Sequence, residues 1–246
     1  MPRVNRKPHP LFTWPSAPII ETLLRKAWEQ PRKLWHLFGR GIAINNYLNR
    51  ATNPKLHIGA GSDQPTGWLN TDLYPGRYGM VRLDATQTFP FSDETFHFIF
   101  SEHMIEHIPL RGARTMLSEC HRTLRPKGWI RLATPNLTQV ARLVLDRAEP
   151  DVTRFLGKMA HRYDPEAGDN LSTLMINDYF YGHGHRFIYN FQMLSSELAH
   201  AGFINIRQCS SGISAIPDLN GIDAHHHLVG QEANAYETLV IEAQKP

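Results

Sequence analysis

The sequence predicts an α/β fold: a mostly parallel sheet with helices on both of its faces. Three observations lead there. From Lys55 onward, short apolar runs alternate with segments of helical period, the pattern of strands joined by crossover helices. A turn made of Gly59, Ala60 and Gly61 follows the first apolar run with no spacer. The chain of 246 residues, 41% of them hydrophobic, is long enough to bury one large core of this kind.

Taken in order, KLHI (55–58), WLNTD (68–72), MVRLD (80–84), FHFIFS (96–101), WIRLATP (129–135), FINIRQC (203–209) and ETLVIEA (237–243) read as strands. Helical periods fall around 111–124, 137–148 and 191–201. Only residues 59–67 separate the first two strands, fewer than a full helical crossover needs. The first helix is therefore expected to shrink to about one turn, or the second strand to begin late. Residues 149–190, rich in His, Tyr and Gly, read as an irregular insertion over the edge of the sheet. The last two strands, joined by a long loop, read as a hairpin-like closing pair.

Residues 1–50 form a separate region, ahead of a main domain over 51–246. They carry nine Lys and Arg against Glu21 and Glu29, although the net charge of the whole chain is only +3. Trp14, Trp28 and Trp35 lie there too. Two amphipathic stretches, 19–30 and 32–48, predict short helices separated at Pro31, and the polar cluster NRATNP marks the boundary. A basic helical extension suits packing on the main domain, a partner protein, RNA phosphates or the surface of an anionic membrane. No apolar run is long enough to span a bilayer, and prolines break the N-terminal apolar stretch before a signal-peptide core forms. Cys120 and Cys209 lie far apart with no CxxC pair, so a reducing, cytoplasmic location is expected.

Glycines at 59 and 61 let the backbone turn tightly and approach a ligand. The turn is not a Walker loop, because no Gly-Lys-Ser/Thr follows, and the dinucleotide fingerprint fails at Gln64. Behind it, successive strands end in polar groups. Asp72 can accept both hydroxyls of a ribose, and Asp84 can accept from an adenine amino group. Ser101 ends the fourth strand, with Glu102 and His103 after it. Each acid alone reads as a solvated turn residue. Together, at the carboxyl ends of the strands where open α/β sheets bind ligands, they point to a site.

These segments resemble the class I S-adenosylmethionine-dependent methyltransferases, and within them the small type 11 bacterial group. The resemblance rests on HIGAG, GWLNTDL, LDATQTFPFSDETFHFIFSEHMIEHI and LSECHRTLRPKGWIRLATPNL, and more loosely on AGFINIRQC to the C-terminus. It implies a Rossmann-like, seven-stranded, mostly parallel sheet with a reversed C-terminal strand, and S-adenosyl-L-methionine at its carboxyl edge. It implies Gly59, Ala60, Gly61 and Ser62 at the methionine end, Asp72 and Leu73 at the ribose, and Asp84 and Ala85 at the adenine. Ser101 and Glu102 would border the methyl group. His57 stands where the family often has an acid, and Asp63 stands where it has a third glycine. Those two departures keep open a second reading, a cofactor-binding but catalytically silent partner subunit.

Methyl transfer needs alignment and, for a hydroxyl or amine acceptor, removal of a proton. The candidates for that proton are His103 and His107 after the fourth strand and His183, His185 and Arg186 in YGHGHRFIYN, with His103 first because its strand-end position faces the cofactor site and His185 with Arg186 second. HMIEH (103–107) also fits an inverted zincin pattern, which leaves a zinc hydrolase as a third reading. His225 to His227 read as part of a solvated loop. No metal is expected. DNA-base methylation is disfavoured, since the fifth strand ends in TPNL and no Pro-Cys dipeptide occurs. Relatives of this type are associated with polysaccharide modification, so the acceptor is expected to be a small molecule or glycan.

Overall fold

The computed structural model describes residues 39–76, 79–163 and 167–246. The helix expected over 19–30 lies outside them. Contacts set Ala43–Pro246 apart as a compact unit, which holds the sheet. Residues 39–48 are helical (α1). Within that unit, Ile44 is buried, and the Tyr47 hydroxyl donates to the carbonyls of Lys55 and Gly67 at 3.0 Å each.

The strands among the described residues are β1 (Lys55–Ile58), β2 (Leu69–Asp72), β3 (Val81–Arg82), β4 (Phe96–Glu102), β5 (Leu124–Pro135), β6 (Ile204–Cys209) and β7 (Thr238–Gln244). They form one sheet in the order β3-β2-β1-β4-β5-β7-β6. β1 to β5 pair in parallel, and β7 runs antiparallel between β5 and β6. This is the expected mostly parallel sheet with a reversed last strand. The parallel pairing explains why Leu56, Ile58, Ile99 and Ile130 are apolar and almost fully buried. β7 pairs on both edges, and every residue from Thr238 to Ala243 is buried.

Residues 59–68 hold turns and no helix, so the short β1–β2 gap dispenses with the crossover. β3 is cut to two residues, and β5 begins at Leu124 rather than near 129. The segment before Trp129 pairs irregularly with β4 across a register shift between Phe96 and Phe98, which hides its period.

The helices on the sheet match their sequence periods. α2 (Leu110–Thr123) buries Ala113, Met116, Leu117 and Cys120, spaced three and four apart. α3 (Leu137–Leu145) starts at Asn136, whose side chain accepts from Thr138 N, a cap worth about 1 kcal/mol. The larger differences lie downstream. Residues 149–190 are not irregular: α4 (Pro150–Met159), α5 (Leu171–Asn177) and a π-turn over Asp178–Gly182 fill much of the segment. They bury their own apolar cluster, with Val152, Phe155, Met175 and Tyr179 packed on Val140 and Leu143 of α3. Ser, Thr, Gly and His placed between these apolar positions blur the period. α6 (Phe191–His200) follows, capped by Asn190. The long loop expected before β7 contains two short helices, α7 (His226–Val229) and α8 (Gln231–Glu237). None of the described helices is long and apolar enough to cross a membrane.

One buried ion network pins the loop ahead of α7. Arg131 on β5, fully buried, donates to Asp223 and to Glu242 of β7, and Asp223 also accepts from Gly212 N at 2.6 Å. Removing one partner of such a network costs about 3–5 kcal/mol, because the charge left behind stays desolvated.

Candidate functional site

At the carboxyl edge of β1 to β3 the backbone does most of the positioning. Gly59 has φ 73° and Gly61 φ 51°, the left-handed region that side chains disfavour. A Cβ on Gly59 would meet Met104 Cγ at 2.3 Å, so the turn lies directly against the segment that follows β4. Asp72 ends β2 and takes one backbone donor on each oxygen, Gly61 N at 3.1 Å and Tyr74 N at 2.8 Å. A carboxylate has about four acceptor sites, so capacity remains on both oxygens. Asp84 accepts from Thr86 N and Thr86 Oγ1 through a single oxygen, Oδ1, at 3.0 and 2.7 Å. Leu73 and Ser62 are exposed, and Ala85 is buried. These residues form an edge of glycine turn and acids at the ends of β1 to β3, and its spare carboxylate acceptors fit donors such as ribose hydroxyls and an adenine amino group.

His57 takes no part in that edge. Its ring is 2% exposed, hydrogen-bonds Asn70 Oδ1 at 3.1 Å and packs on Phe100. Burial, outweighing the Asn70 bond, lowers its pKa to about 4, so it is neutral at physiological pH. Asp63 only closes the turn, donating its N–H to Ala60 O.

β4 leads from this edge into a second region. Ser101 is buried, with no partner for its hydroxyl among the described residues. Glu102 turns away from the edge and holds the α7 loop, accepting from Ala224 N and His225 N at 2.9 and 3.1 Å. His103 adopts φ 46°, a left-handed backbone in a non-glycine residue. Its amide donates to Ala133 O on β5, and its Nδ1 lies 3.2 Å from Glu106 Oε1. Nε2 makes no hydrogen bond to the described residues.

His103 lines a cavity of about 490 Å³, together with Glu106, His107, Tyr163, Asp178, Tyr179, His183, His185, His225 and Glu237 among others. Four of the five sequence candidates, His103, His107, His183 and His185, meet here. Arg186 does not: its side chain is exposed, and only its backbone N–H reaches Glu106 O.

The cavity is a hydrogen-bonded network of acids and rings. Glu106, fully buried, accepts Thr134 Oγ1 at 3.0 Å besides facing His103. Burial alone would raise its pKa, but His103 holds it below the usual value. For His103, burial lowers the pKa, and the bond and charge of Glu106, with Glu102 and Glu237 beyond, outweigh it, so the net shift is upward. Glu237 accepts from the Tyr179 hydroxyl and lies 3.3 Å from His225 Nε2, and the His225 ring packs on His103 at 3.7 Å between centroids, tilted by 33°. Asp178 holds Tyr163 and His183 at 2.9 Å each. Gly182 leaves room for the Asp178 carboxylate, which a Cβ there would strike unless the side chain moved.

The sequence reading missed Glu106 as a partner of His103, and also Tyr179, Glu237 and His225. His225 is not in a solvated loop but half-buried and anchored through Glu102. The signal for Glu106 lies in HMIEH itself, where it stands three residues after His103. That motif does not form a helical zincin pair: residues 105–107 make a 3₁₀ turn, and the left-handed His103 lies outside it.

Residues 56–132 match the family model described as methyltransferase domain. No curated protein matches the chain significantly. Similar solved structures include an S-adenosylmethionine-dependent methyltransferase from Archaeoglobus fulgidus, 16% identical over 87% of this chain and 94% of that one, with a TM-score of 0.46. A putative methyltransferase from Bacillus halodurans is also 16% identical, over 82% of this chain and 98% of its own, with a TM-score of 0.45. A complex of the Haloferax volcanii Trm112 methyltransferase activator with a putative methyltransferase gives 12% identity, coverage of 90% and 94%, and a TM-score of 0.44.

Proposed function

We infer from this methyltransferase domain, carried on the class I methyltransferase sheet, that the protein is an S-adenosylmethionine-dependent methyltransferase. Its acceptor, on this reading, is a hydroxyl or amine of a small polar molecule or glycan held in the histidine-lined cavity. The observation that carries it is the position of His103. The residue after it, Met104, lies against the Gly59 turn, while the His103 side chain lines the cavity, so the two regions meet at adjacent residues.

When bound, S-adenosylmethionine supplies a methyl group already activated on a sulfonium. Gly59, Ala60, Gly61 and Ser62 would hold the methionine end by backbone, Asp72 the ribose hydroxyls, and Asp84 and Ala85 the adenine. The spare acceptor capacity of Asp72 and Asp84 supports those roles. Glu106 orients His103 through Nδ1 and leaves Nε2 to take the acceptor proton, the logic of a carboxylate-held base. The polar lining favours a hydroxylated acceptor over an apolar one, and polysaccharide or sugar modification is consistent with it. Residues 149–190 would serve as the acceptor-side wall of a domain spanning 51–246, with the basic 1–50 extension as a contact to a partner or membrane surface.

Calorimetry with S-adenosylmethionine and S-adenosylhomocysteine is the first test, followed by transfer to a panel of sugars and polyols. Micromolar binding of either sulfur ligand and methylation of a hydroxylated acceptor are expected. Folded protein that binds neither ligand would reduce the reading to fold alone. Binding with no turnover across the panel would favour the silent partner subunit.

A further inference from the structure

We propose that Glu106, His107 and His185 form a binding site for a divalent transition-metal ion of the zinc class in the wall of the cavity. Their ligand atoms, one from each side chain, all lie within 4.8 Å of one another, and this is the one such group among the described residues. Two imidazoles and a carboxylate are a donor set that suits zinc, cobalt or nickel far better than magnesium or calcium.

The surroundings prepare these side chains for an ion. His185 Nδ1 lies 2.5 Å from Tyr179 O. A carbonyl only accepts, so Nδ1 carries the proton and the Nε2 lone pair is left for a metal. This is the outer-shell arrangement that fixes ligating histidines. Each Glu106 oxygen has one hydrogen-bond partner, His103 or Thr134, and so keeps acceptor capacity. The two ligand-bearing segments are fastened together by backbone: Arg186 N and Phe187 N both donate to Glu106 O, at 2.6 and 3.1 Å. With metal–ligand bonds of about 2.0–2.2 Å, tetrahedral donors stand roughly 3.4 Å apart, and rotation of the exposed His107 ring can close the set. His183 is not part of the group whose ligand atoms lie within 4.8 Å of one another.

The site differs from the zincin reading of HMIEH. His103 is not a ligand, and the second imidazole comes from residue 185. Three protein ligands leave a coordination position open toward the cavity, where an acceptor oxygen can sit. That use of the ion rests on the methyltransferase reading; ion binding itself does not.

The test is a titration of chelator-stripped full-length protein with zinc by calorimetry, and with cobalt by visible absorption. One equivalent of each is expected, with the intense d–d bands of low-coordinate cobalt. His107→Ala and His185→Ala should each weaken zinc by on the order of tenfold or more. His183→Ala should leave zinc binding unchanged. Zinc that fails to bind, or binds the H107A and H185A variants as tightly as the parent, overturns the site. S-adenosylhomocysteine binding is measured on the same samples and is expected to be independent of zinc. Its loss with zinc binding intact would overturn the methyltransferase reading alone.

Discussion

The two halves of the candidate site are built in opposite ways. The edge formed by Gly59, Asp72 and Asp84 lies within a short stretch of chain, and it works through backbone shape and carboxylates that keep spare acceptor sites. The cavity draws His103 and Glu106 from one segment, Asp178 to His185 from another, and His225 and Glu237 from a third. Its groups are paired and mutually dependent, with Glu106, Tyr179 and Glu237 buried. On the proposed reading the first region binds the constant cofactor and the second handles protons on the acceptor. Substitutions in the first should therefore change affinity, and in the second turnover.

The largest expected effect separates these roles most sharply. His103→Gly removes the imidazole while accepting the left-handed backbone, and should lower turnover by on the order of 10²–10⁴-fold. S-adenosylhomocysteine affinity, read by calorimetry, should be unchanged; an equal loss there would break the division between the regions.

Next comes an acid response from the sheet beneath the edge. Unfolded His57 titrates near 6.5, but the folded residue only near 4, so between those values the unfolded chain binds the extra proton. Stability should fall as pH drops through this window, by roughly 3 kcal/mol at 1.36 kcal/mol per pH unit. Urea melts at pH 7 and 4.5 would measure it, and His57→Asn should flatten the slope.

Asp72→Ala should weaken S-adenosylhomocysteine by about 1–3 kcal/mol while turnover at saturating cofactor stays near that of the parent. A fall in turnover without a change in affinity would move Asp72 out of the edge. Gly59→Ala is the mildest of the four. Its left-handed backbone costs about 1–2 kcal/mol of stability, with crowding against Met104 in addition. A melting temperature equal to the parent's would show that the turn relaxes.

The same contrast explains what could be read from the sequence. All seven strands and the helices α2, α3 and α6 were legible, because one-sided helices and doubly covered strands leave plain periods. The edge was legible because a glycine turn and strand-end acids are local features. The cavity was only half legible. His103, His107 and His185 were visible as residue types, but their partners Glu106, Tyr179, His225 and Glu237 become partners only when distant segments meet. The helices of 149–190 were hidden because they pack on α3 rather than on the sheet, and polar residues interrupt their short apolar stripes.

The position of β7 has a consequence for synthesis. The strand made last, Thr238–Gln244, sits inside the sheet, bonded to β5 on one edge and β6 on the other. As the chain leaves the ribosome, β1 to β5 can assemble early, yet the open flank of β5 stays unpaired for about a hundred further residues. During that interval Ile130 and Leu132 pair with β4 but have no strand on their β7 side, a period when chaperones or neighbouring nascent chains can engage that edge. Completion of the sheet is therefore a late, single event in the life of the chain, and truncation before residue 238 should leave a product that aggregates rather than one that is merely less stable.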